Sequence, residues 1–167
     1  MENIKKLEIM TKMLNRRESI IEKIMEYIPS FAMIINKERK VIFANKKALD
    51  AGAVVGDFCW KTFGQMDFIS LEDKQYMLTS KSSKGMTRNI HCYFCKSDDC
   101  LAQQVYKSTP DVVAFDRIWD TYWIPIDEET FLHYAYDVTH LLTEEQIIKI
   151  REKAEIQIKE MNNEKTI

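Results

Sequence analysis

From Glu2 to Tyr27 the chain has no glycine or proline, and Leu7, Met10, Leu14, Arg17, Ile21, Ile24 and Ile28 recur at alternating steps of three and four. This is the period of an amphipathic helix, with one charged residue, Arg17, in its seam. A stripe so long and narrow suits a helix that meets a second copy of itself, which predicts a homodimer; packing on the local core is the alternative. Pro29 closes the helix, because the residue before a proline is pushed away from helical angles. Phe31 to Ile35 and Lys40 to Ala44 then read as two strands, joined by the polar turn Asn36-Lys37-Glu38-Arg39. Asn45 opens a short helical piece through Leu49.

Between Ala51 and Gly64 the pattern dissolves into turns with apolar anchors at Val54, Phe58, Trp60 and Phe63. Ser70 is placed to cap a helix with an acidic first turn, running to about Ser80. A loop from Ser82 to Gly85 leads to the cysteines. Leu101 to Lys107 reads as a brief helix or irregular segment closed by Pro110. Two strong strands follow, Val113 to Ile126 and Thr130 to Val138, with Asp127-Glu128-Glu129 as the tight connection. Because the second strand is apolar on both faces, both sides of its sheet are expected to be covered. Thr143-Glu144-Glu145-Gln146 has the form of a capping box, and Ile147, Ile150, Ala154, Ile158 and Met161 give the last helix an apolar stripe.

With 167 residues, 46% of them apolar and 11% aromatic, the chain fits one domain with extensions and needs no covalent staples. A formal charge of −2 offers no field for nucleic acid or an anionic membrane. No apolar run approaches the roughly 18 residues needed to span a bilayer, and the N-terminus is charged where a signal peptide is apolar, so a cytoplasmic protein is expected. No phosphate-binding glycine loop, kinase motif set or recognition helix is evident. An enzyme is therefore not expected, and any kinase or regulator that acts as effector lies elsewhere.

The candidate chemistry is in the four cysteines. Cys92, Cys95 and Cys100 lie within nine positions, and Cys59 is the fourth. Two cysteines two residues apart can turn both sulfurs toward one point, and four thiols suffice for a tetrahedral shell around zinc or an iron-sulfur cluster. A redox-responsive thiol pair, or inert packing of small apolar side chains, fits the same residues. A thiol oxidoreductase using Cys92 and Cys95 is a weaker alternative, because the pair does not open a helix after a strand. His91 is an alternative fourth ligand or a haem ligand. His133 reads as a strand histidine with a satisfied hydrogen bond.

Phe31-Ala32-Met33-Ile34-Ile35-Asn36, then Val41-Ile42-Phe43-Ala44-Asn45-Lys46-Lys47-Ala48-Leu49, and finally Tyr136-Asp137-Val138-Thr139-His140-Leu141 running into a helix, resemble the opening hairpin and closing junction of a PAS domain. Gly56-Asp57-Phe58-Cys59-Trp60-Lys61-Thr62-Phe63-Gly64 with a later Cys-x2-Cys is similar to the cysteine-containing PAS domains of bacterial sensor kinases and regulators. The resemblance implies an α+β fold: a five-stranded antiparallel sheet with a helical cap, flanked by N- and C-terminal amphipathic helices. It divides the chain into a helix over 1–28, a sensor domain over 29–141 and a signalling helix over 142–167. It places Cys59, Cys92, Cys95 and Cys100 in the cap as ligands of an oxygen-labile iron-sulfur cluster, although the spacing departs from the two Cys-x2-Cys pairs of that type. Trp60, Trp119, Tyr122 and Trp123 are then candidates to line a cavity for a small organic ligand, or else ordinary core. Asp137 and Thr139 resemble the junction that hands a conformational change to an output helix.

Overall fold

The computed structural model describes residues 20–61, 68–79 and 90–163. Residues 20–27 are helical (α1), and the expected seam positions Leu7, Met10, Leu14 and Arg17 lie outside the described residues, as do Phe63, Gly64 and the loop from Ser82 to Gly85. In the described part of α1, Ile21 and Ile24 are 51% and 61% exposed while Met25 is buried. The remaining elements are β1 (Ala32–Asn36), β2 (Val41–Ala44), α2 (Lys46–Asp50), α3 (Leu71–Thr79), α4 (Ser97–Gln103), β3 (Lys107–Ala114), β4 (Arg117–Pro125), β5 (Thr130–Asp137) and α5 (Glu144–Asn163).

The five strands form one sheet in the order β2-β1-β5-β4-β3, and every neighbouring pair is antiparallel. Helices α2, α3 and α4 belong to the long connection from β2 to β3, which caps one face. This is the PAS-like α+β architecture. The core between sheet and cap contains Met33, Ile35, Val41, Trp123 and Phe131. The opposite face is more open than the pattern of β5 suggested, with Tyr136 45% exposed.

One of the five strands was not located by the residue pattern. β3 begins at Lys107, inside the segment expected to be irregular, and contains Pro110. Proline cannot donate to a ladder, but β3 is an edge strand, and its register shifts between Thr109 and Val112 around the proline. The expected strand from Val113 to Ile126 is in fact a hairpin, turned at Phe115 and Asp116, both at positive φ. The helix before it starts earlier than expected, at Ser97, and so carries Cys100 inward on the same face as Ser97.

The local signals for the other elements hold. Ser70 Oγ accepts from Asp73 N at 3.2 Å at the start of α3. At α5 the capping box closes in both directions, Thr143 N donating to Gln146 Oε1 at 2.9 Å and Gln146 N to Thr143 Oγ1 at 3.3 Å. Ala154 is buried, and Ile147, Ile150, Ile158 and Met161 are half-buried. This stripe lays α5 along the edge strand β3 and the cysteine segment of the cap.

Candidate functional site

The cap reaches the sheet through turns rather than regular structure, so its side chains are placed by a few long-range bonds. Cys59 N donates to Arg39 O at 2.8 Å and Tyr93 N to Phe68 O at 3.0 Å. The Cys-x2-Cys turn closes on itself, Cys95 N donating to Cys92 O at 3.0 Å. Thr109 Oγ1 donates to Phe94 O at 2.9 Å, which ties the cysteine segment to β3.

These bonds enclose a cavity of about 70 Å³ between cap and sheet. Its roof includes Cys59, Trp60, Cys92, Phe94 and Cys95; its floor includes Met33 of β1, Trp119 and Trp123 of β4, and Phe131 and His133 of β5. Three of the four cysteines are thus brought to one wall from two separate segments. Cys100 is not: it is 0% exposed and packs in the core with Met33, Ile35 and Trp123, because α4 turns it away from the cavity. Three of the four candidate sulfurs therefore share the cavity wall, and Cys100 lies in the core cluster against which Cys59 and Cys95 also pack. His91, the alternative ligand, faces an outer groove beside Ser70, Tyr93 and Met161. Among the described residues no group of three or more His, Cys, Asp or Glu side chains is placed to hold a metal ion.

Of the four aromatic candidates, Trp60, Trp119 and Trp123 line the cavity and Tyr122 does not. Strand alternation explains the correction: Trp119, Thr121 and Trp123 point into the cavity, so Tyr122 points to the opposite face, where it stacks on Tyr134 at 4.8 Å.

The thiols differ in their surroundings. Burial pushes Cys59 up to about 12, with Cys95 nearby adding to the rise and Arg39 opposing it. Burial likewise pushes Cys92 well above the ordinary thiol range, helped by Cys59 and Cys95. Both are therefore protonated near neutral pH. Cys95 is the sulfur with a cation against it: Arg39 Nη1 lies 3.2 Å from its Sγ. The same guanidinium donates to Ser97 Oγ and pairs with Asp98 Oδ2 at 2.8 Å, and Ser97 Oγ is 3.3 Å from Cys95 Sγ. Arg39 is only 3% exposed. The sequence marked it as one more polar turn residue; its reach from the β1–β2 turn to the cysteine segment has no sequence signature.

At the far end of the sheet, the junction residues act locally. Ile118 N donates to Thr139 Oγ1 at 2.9 Å, and Thr139 N donates to Asp137 Oδ1 at 3.0 Å. Burial works against ionisation of Asp137, but bonds from Thr139 and Arg117 outweigh it and hold the carboxyl below its usual range. A more direct contact with the last helix lies elsewhere. Phe94 and Val112 line both the cavity and the groove formed with Ile150, Ala154 and Gln157 of α5. The same side chains therefore separate the cavity from the C-terminal helix.

Among the described residues no helix is long and apolar enough to cross a membrane. No protein-family model and no curated protein matches the chain. Among solved structures, a sensory box sensor histidine kinase from Vibrio cholerae is similar at 12% identity with a TM-score of 0.44, over 77% of this chain and 95% of that one. The PAS domain of Bordetella pertussis BvgS is similar at 12% identity with a TM-score of 0.41, over 83% of this chain and 98% of that one.

Proposed function

We propose that this chain is a signal-transduction sensor module whose thiol-walled cavity takes a small ligand and whose cap passes occupancy to the flanking helices. The observation that carries the reading is the position of Phe94, one ring forming part of both the cavity roof and the groove under α5. A molecule entering the cavity presses on the same side chain that seats the C-terminal helix. Packed interiors respond to such a push by shifting between discrete arrangements rather than by deforming smoothly. The effector is then a downstream kinase or regulator, reached through α5, with α1 of a second copy supplying a homodimer contact through Ile21 and Ile24.

A second reading starts from the three sulfurs that share the cavity wall: drawn closer than they stand in the cap, Cys59, Cys92 and Cys95 would hold a thiophilic metal, zinc or the iron of an iron-sulfur centre. Thiolates are the soft ligands such metals prefer, and the Arg39 guanidinium offsets the negative charge that ionised sulfurs bring. Bound metal would supply folding energy to a cap built mainly of turns.

One preparation separates the two readings. Purified without oxygen, the full chain is expected to be colourless and to contain well under one metal ion per chain. About one zinc per chain, or absorbance near 400 nm that bleaches in air, in either case abolished by Cys92→Ser, would replace the ligand reading with the metal one.

A further inference from the structure

The cavity wall contains one ring whose tautomer and free position can be assigned. His133 lies on the cavity face of β5, its ring stacked on Trp123 at 5.0 Å and 19°. Its Nδ1 is 3.1 Å from the carbonyl oxygen of Tyr122. A carbonyl can only accept, so that contact requires the proton on Nδ1. Burial lowers the imidazole to about 4, with the Tyr122 carbonyl opposing the shift, so the ring is neutral at physiological pH. A neutral ring with its proton on Nδ1 has a lone pair on Nε2. Among the described residues no group is bonded to Nε2, which keeps some accessible surface.

Two other polar groups of the cavity wall are already engaged. Thr121 Oγ1 donates to Thr109 O at 2.9 Å, and Trp119 Nε1 donates to Ala114 O at 2.9 Å. Size sets a further limit: about 70 Å³ is less than the roughly 150 Å³ of an engineered apolar cavity that binds benzene. A charged molecule of that size would lose its hydration against a wall of aromatic and aliphatic side chains with no matching charge facing it. We propose that the cavity selects small, neutral, largely apolar molecules of about two or three heavy atoms carrying one hydrogen-bond donor, and that His133 Nε2 accepts that donor. This rests on the cavity being a ligand site and names the class of ligand it takes.

Methanol and fluoromethane test it, because they share size and shape while only methanol has an O–H to donate. In ligand-observed NMR titrations of the full chain, methanol is expected to bind about tenfold more tightly than fluoromethane, whose fluorine lone pairs would face that of Nε2. His133→Phe should reduce methanol to the level of fluoromethane, and His133→Gln, which keeps a side-chain acceptor, should retain part of the preference. Equal binding of the two molecules by the unmodified chain would overturn the role of His133 and leave the cavity reading intact. Binding of neither would overturn both.

Discussion

Asn45→Ala is expected to be among the most destabilising single substitutions in the chain. The side chain is 0% exposed and uses its full hydrogen-bonding capacity on backbone. Its Oδ1 accepts from Ala32 N at 3.1 Å and Ala48 N at 3.0 Å, and its Nδ2 donates to Met25 O at 3.1 Å and Ser30 O at 2.9 Å. One residue thus caps α2, pins the start of β1 and holds the end of α1 against the sheet. Alanine would leave two amides and the Ser30 carbonyl without partners in a site closed to water, while Met25 O keeps its bond from Ile28 N at 3.2 Å. At about 1 kcal/mol or more for each group, the loss is about 3 kcal/mol. For a domain of this size it should appear as a fall in Tm of about 6–12 °C. Asn45→Ser, able to cap α2 but too short to reach Met25, should fall between the two. Thermal melts of the three proteins would test this ordering, and a shift under about 3 °C for alanine would show that the bonds are not limiting.

Arg39→Ala should be almost as costly, and its effect should appear in the thiols. The guanidinium is enclosed, and removing it leaves Ser97 and Cys95 only each other at 3.3 Å while the Asp98 carboxylate, 60% exposed, turns to water. No buried charge is left unpaired, and losing these charge-assisted bonds costs about 2 kcal/mol. Asp98→Asn should have a small effect by comparison, since an exposed partner contributes little. Arg39 also accepts Cys59 N through its backbone, so cap and hairpin should loosen together. Maleimide labelling of Cys59 and Cys92 should therefore accelerate at least severalfold in Arg39→Ala at a temperature where the protein is still folded. Arg39→Met, which keeps the aliphatic stem, should recover stability in part. Labelling rates unchanged in both variants would show that Arg39 does not hold the cap.

The hairpin, α2 and the capping box of α5 were legible because each depends on residues close in sequence, whereas Cys59 lies 33 residues before Cys92 and only the resemblance placed it in the cap with the other thiols. β3 was obscured by Pro110, whose presence argues against a central strand but not an edge one. Cys100 was misplaced because spacing in a turn and spacing on a helix send a sulfur in different directions, and the start of α4 at Ser97 decides between them. Tyr122 was grouped with its tryptophan neighbours by composition, whereas the two-residue alternation of β4 separates them. His133 was readable as a bonded strand histidine, but the open Nε2 depends on which carbonyl meets Nδ1. The role of Arg39 depends on a contact 56 residues along the chain, and no local pattern encodes it.

The account depends on a filled cavity being felt at α5, and xenon offers the plainest probe because it enters apolar cavities without needing a donor or a charge. Amide NMR shifts of the full chain recorded under xenon pressure should move at Met33, Phe131 and Cys92 and, with the same pressure dependence, at Ile150, Ala154 and Gln157. Shifts that stop at the cavity wall, with α5 unmoved, would contradict the coupling; no shift at the wall would contradict the cavity itself.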